Sequence, residues 1–196
     1  SATNIAKSRA KVRGLKNIKF LQGSLLDVAT LCEPPFDYID CCGVLHHLDD
    51  PSEGLESLTN VLCDNGGMGL MVYAPLGRTG VYPMQNLLRM IGDNKSPAGR
   101  LEQAKSILRF LPPTNWLHRN DLIKDHIDAG DAGIFDLLLH SQDRSYSVPE
   151  LDHLIEQSRL KIVSFIEPIR YDPLAFIDDP ELMRTIGKLA WIDQCA

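Results

Sequence analysis

The stretch FDYIDCCGVLHHLDDP, from Phe36 to Pro51, constrains this chain more than any other. Tyr38, Ile39, Cys41, Cys42, Val44 and Leu45 are apolar almost without alternation, the pattern of a strand covered on both faces in a parallel sheet. Asp50-Pro51-Ser52-Glu53 then opens a helix, with an Asp cap, a Pro at the first helical position and a Glu three residues after the cap. Leu55, Leu58, Val61 and Leu62 form its apolar stripe, and after Asn65-Gly66-Gly67 a second apolar run spans Met68–Tyr73. Strand, helix, strand at this spacing is a right-handed βαβ unit. In open α/β sheets ligands bind beyond the carboxyl ends of the strands, which is where Gly43, His46 and His47 fall.

The run resembles the fourth-strand motif of class I S-adenosylmethionine-dependent methyltransferases, FDxIxxxxVLHHLxDP followed by a helix and a GG turn. Asn4 to Leu15 resembles the helix after that family's second strand, Ile18–Gly23 its third strand, and Gly69–Pro75 its fifth. The match is ordered over residues 1 to about 76. It implies an α/β fold: a partial Rossmann-like sheet from the third strand onward, with a helical insertion after the fifth. The family's glycine-rich loop and the acid closing its second strand have no counterpart here. Ser1 falls just after the position of that acid, and Gly66-Gly67-Met68-Gly69 follows a helix where such a loop precedes one. The expectation is a fragment that lacks the N-terminal part of the domain.

Bulk properties narrow the function. A chain of 196 residues can bury a sizeable core, and 44% hydrophobic with 23% charged residues is ordinary for a globular protein. A net charge of −6 and a pI near 5.5 argue against a nucleic-acid partner, since no basic stripe displaces counterions. No run reaches the roughly 20 apolar residues of a membrane span. Five cysteines without CxxC spacing read as reduced thiols, which points to the cytoplasm.

Residues 1–79 are read as part of the cofactor-binding core, 80–146 as a helical cover and 147–196 as the return to the core. Within these, the patterns predict helices over 2–13, Tyr82–Ile91, Ala98–Leu111, Asn120–Asp128, Ser147–Arg159 and Glu181–Cys195. Short strands are expected at Asn17–Leu21 and Lys161–Glu167, and 129–146 reads as a Gly- and Asp-punctuated connection.

Candidate residues follow from chemistry and resemblance together. Methyl transfer from a sulfonium is an in-line displacement helped by alignment and by a base near the acceptor. His47 is the candidate base; the alternative is that one or both histidines cap the strand end or line the pocket. A metal held by both histidines is disfavoured, because neighbours on a strand end point to opposite sides. The resemblance implies cofactor contacts at Ser24 and Leu25 (the adenine loop, with Ser24 in place of the usual acid) and at Cys41, Cys42, Gly43 and Val44 beside the methionine end. At most one of Cys41 and Cys42 faces the ligand. It also implies acceptor contacts at His46, Tyr73, Arg78 and Tyr82, although a loop arginine such as Arg78 is more often solvated. His140, Asp143, Arg144 and Tyr146 form a polar knot that reads as structural.

The implied function is S-adenosylmethionine-dependent methyl transfer to a small-molecule or protein acceptor. The alternative is a methyltransferase-like binding module without catalysis. Exposed strand edges would invite pairing with a second copy.

Overall fold

The computed structural model describes residues 2–92 and 94–196, so the expectation at Ser1 lies outside the described residues. Helix α1 (Ala2–Val12) ends at Gly14, whose φ of +67° is left-handed, and α2 (Val28–Leu31) follows a 3-10 turn at Leu25–Asp27. Strand β1 (Phe36–Cys42) runs into a 3-10 turn at Leu45–His47, then helix α3 (Pro51–Thr59) and strand β2 (Leu62–Met71), parallel to β1. The cap read from Asp50 forms, its carboxylate accepting from the amides of Ser52 at 2.9 Å and Glu53 at 3.2 Å.

Only β1 and β2 pair into a sheet among the described residues. The expected strands at Asn17–Leu21 and Lys161–Glu167 carry no sheet pairing. β2 also starts before Met68. Phe36 pairs with Leu62 but Tyr38 pairs with Gly67, so Asn65-Gly66 lies in a bulge inside the strand rather than in a turn before it. At its other end β2 stops at Met71, and Tyr73 makes an isolated parallel bridge to Ser145.

The strand is not covered on both faces. Ile39 and Cys41 with Met68, Leu70 and Val72 face a core built by Leu45, Leu55, Leu58, Leu154 and Ile155. On the other face Tyr38 is 63% exposed, and Asp40 and Cys42 are exposed too. The partners of Tyr38 and Asp40 across the ladder are Gly67 and Gly69, which bring no side chain to an apolar layer. Burial therefore alternates although hydrophobicity does not.

A second core lies in the helices after β2. It gathers α4 (Val81–Gly92), α5 (Pro97–Arg109), α6 (Trp116–Arg119) and α8 (Gly130–Leu138) around Val81, Met84, Leu88, Ala104, Leu117 and Leu138. The expected helix Asn120–Asp128 shrinks to α7 (Asp125–Asp128), because Asn120 spends its side chain on a turn. Its amide donates to the Thr79 carbonyl at 3.1 Å, and its oxygen accepts from the Leu122 amide. Conversely, the expected connection at 129–146 contains α8, whose Ile134, Leu137 and Leu138 recur at helical spacing and are buried.

The chain returns through α9 (Val148–Gln157), whose Ser147 and Glu150 make the reciprocal capping box. The final expected helix splits into α10 (Pro180–Ile186) and α11 (Trp191–Cys195) at Gly187, where glycine is a poor helix former. No described helix is long and apolar enough to cross a membrane.

Gly80 joins the two halves. Its φ is +92°, and an added Cβ would lie 2.6 Å from the Leu117 Cα. Gly80→Ala should lower the unfolding free energy by about 2 kcal/mol or more, read by chemical denaturation. A change within about 0.5 kcal/mol, the range of an ordinary surface substitution, would refute the constraint.

Candidate functional site

The carboxyl end of β1 turns sharply. Gly43 takes φ +75°, and its amide donates to the Met71 carbonyl at 3.0 Å, closing the sheet one residue past the strand. That turn lifts the next residues into a 3-10 turn, with the His47 amide donating to the Val44 carbonyl at 3.0 Å. The two histidines therefore do not point to opposite sides, as residues of a strand would. Their rings meet edge to face, with centroids 4.2 Å apart.

His46 is 1% exposed, and among the described residues neither ring nitrogen has a partner. Burial first, then the neighbouring His47, lowers its pKa to about 4, so the ring is neutral above that pH. His47 is half-buried, and its Nδ1 lies 2.7 Å from the Gln142 carbonyl. A carbonyl only accepts, so Nδ1 carries the hydrogen and the neutral ring keeps its lone pair on Nε2. Against this ring, at 4.0 Å between centroids, lies His140.

The segment 140–146 reaches the site because it runs beside the end of β2. The Tyr146 amide donates to the Tyr73 carbonyl at 2.8 Å, and the Arg144 amide to the His46 carbonyl at 3.1 Å. Tyr73 carries the His46 ring at 3.9 Å and the Arg78 guanidinium at 3.6 Å from its centroid, one on each face. Arg78 is not the solvated loop arginine that its position suggested. Its Nη2 bonds Asp143 Oδ2 at 3.1 Å, with the two side chains 8% and 0% exposed. Gln85 shares that carboxylate oxygen at 2.8 Å and also donates to the Leu137 carbonyl. Tyr82 joins the cluster with its ring 5.8 Å from Arg78 and its hydroxyl unpartnered, burial pushing the phenol up.

The structure thus brings His46, His47, Tyr73, Arg78 and Tyr82 together. Four of their partners are not residues the sequence marks for function: Asp143 and His140, which it marks as structural, and Gln142 and Gln85. Gln85 left a trace in the sequence, as a polar residue among Val81, Met84 and Leu88 on the buried face of α4. Gln142 left none.

The residues expected near the cofactor divide. Cys41 packs in the core on the side opposite Cys42, burial raising its thiol pKa. Cys42 is on the open face, its thiol donating to Asp40 Oδ1 at 2.9 Å. Gly43 and Val44 follow it at the strand end, and beyond Gly43 a Cβ would meet only the Met71 methyl at 3.6 Å. Ser24 caps the turn at Leu25–Asp27, accepting from the Leu26 amide at 3.2 Å, while Leu25 packs beside Gly54 next to Leu45. The turn at Leu25–Asp27 and the strand-end turn are thereby held on one side of α3.

Two outcomes follow. His46 stays neutral in the fold but has an ordinary pKa when unfolded, so the unfolded chain binds more protons between about pH 6.5 and 4. Stability should be fully present above that window and fall by up to about 3 kcal/mol as pH drops through it. The His46→Phe variant should flatten the profile in urea titrations. Separately, Asp143→Ala leaves the buried guanidinium alone and should cost about 3–5 kcal/mol, part of which Arg78→Met in the same chain restores. Full additivity of the two changes would exclude a coupled pair.

Residues 1–68 match the family model described as a methyltransferase domain. An uncharacterised protein of Synechococcus sp. is 31% identical over 184 residues, covering 92% of this chain and 44% of that protein. The structure of PKMT2 from Rickettsia typhi superposes with a TM-score of 0.64 at 15% identity, over 98% of this chain and 38% of that one. The chain spans less than half the length of each. The methyltransferase-domain match thus lies on residues 1–68, and along the rest of the chain the likeness is one of fold.

Proposed function

We propose that this protein transfers a methyl group from S-adenosylmethionine to an oxygen, nitrogen or carbon of a small-molecule or protein acceptor. One observation carries this reading: the turn after β1 puts an open glycine and a histidine with a free lone pair at the carboxyl end of a parallel strand, inside the family match. S-adenosylmethionine, when bound, supplies a sulfonium methyl that needs no activation. The chain's part is alignment and proton removal.

Cys42, Gly43 and Val44 would line the cofactor's methionine end, and the Ser24–Leu25 turn its adenine. Gly43 suits close approach, since the space a side chain would fill is open. Ser24 already accepts a backbone bond, so its hydroxyl has its proton left to offer. His47 Nε2 would take the acceptor's proton, and the Gln142 carbonyl would steady the imidazolium through Nδ1–H. His46 stays neutral and lines the pocket with Tyr73 and Tyr82. Arg78, held by Asp143, acts by fixing Tyr73 rather than by grasping an acidic acceptor with its bonded arm.

Calorimetry with S-adenosylhomocysteine on the full-length protein should show saturable binding; its absence would end this reading. His47→Asn should then lower kcat by about 10²–10⁴-fold while leaving that affinity within a factor of about three. Unchanged turnover would remove His47 as the base and leave alignment alone.

A further inference from the structure

A cavity of about 480 Å³ lies at the carboxyl-terminal end of the chain, apart from the histidine site. Three aromatic rings form its wall. Phe165 and Tyr171 stack with centroids 4.2 Å apart and 17° between planes, and Trp191 lies 5.6 Å from Phe165 at a 35° tilt. They come from an extended segment, a 3-10 turn and α11, so the sequence does not place them together. Asp172 is the single charged residue in the lining, with Gln194 and Cys195 among the others.

The Asp172 carboxylate has one oxygen committed, Oδ1 accepting from the Leu174 amide at 2.9 Å, which leaves Oδ2 for a partner. Its field reaches across the cavity, since burial and then Asp172 push the Cys195 thiol up. Ring faces present negative quadrupole potential, and a carboxylate adds to it. An anionic ligand such as a nucleotide would meet repulsion with no basic group to offset it. A compact organic cation with methyl groups gains from both features, because its methyls pack on the rings and its charge faces the carboxylate.

We propose that this cavity is a binding site for a methylated ammonium group, with Phe165, Tyr171 and Trp191 as the aromatic wall and Asp172 as the counter-charge. The site is separate from the methyl-transfer reading and stands or falls without it.

The test is a fluorescence titration with choline in the Trp116→Phe background, where Trp191 is the sole tryptophan, at fixed ionic strength. The neutral isostere 3,3-dimethylbutan-1-ol is titrated in parallel. Saturable quenching by choline is expected, with roughly tenfold weaker binding of the isostere. Asp172→Asn, which keeps an oxygen for the Leu174 amide, should weaken choline to a similar degree and leave the isostere unchanged. Equal binding of choline and the isostere would reduce the cavity to an apolar cleft and overturn the proposal. A linear, non-saturating response to choline, from protein whose circular dichroism and unfolding transition match the parent's, would overturn it equally.

Discussion

The buried pair of Arg78 and Asp143 ties the parts of this molecule together. The arginine stands in the loop after β2, the aspartate in the segment after α8, and Gln85 of α4 bonds the same carboxylate oxygen. Remove the pair and three elements lose their common anchor. A buried ion pair stabilises little by itself, because desolvation offsets most of the attraction. What it imposes is arrangement: a guanidinium without its carboxylate has nowhere else to go in this interior, so the segment 140–146 must lie beside Tyr73. That placement in turn brings the Gln142 carbonyl to His47 and the Tyr146 amide to the end of β2.

The same placement sets the electrostatics. His46 sits between Tyr73 and His47 with no hydrogen-bond partner among the described residues, so burial empties it of charge. His47, one residue on, is half-buried and bonded to a carbonyl, so it keeps a defined tautomer. Two adjacent residues of one type thus have unlike surroundings, one facing the interior and the other its margin.

Much of the fold was legible. Asp50-Pro51 and Ser147-Pro149-Glu150 start helices because a cap needs only its own side chain and the next few amides. The βαβ unit reads from strand, helix and strand in order. Where the reading erred, the deciding partner lay far away. Residues 161–167 have strand composition but join no sheet, and the glycines and aspartates of 129–146 hid a helix that packs on α4 and α5. The continuous apolar run of β1 suggested two covered faces, yet the glycines opposite Tyr38 and Asp40 leave one face open.

For the site, the sequence by itself determined which residues stand at the end of β1: a glycine for the turn, then two histidines, followed by a capped helix. These are local facts, fixed by neighbours within a few residues. The tertiary structure alone decided that Cys41 faces the core and Cys42 the open side, that Arg78 is buried, and that His47 holds its proton on Nδ1. Each of these depends on a group distant in the chain, 65 residues for Asp143 and 95 for Gln142. Such contacts carry no periodicity or cap to mark them, and only the packing of β2, α4 and α8 brings them within bonding distance.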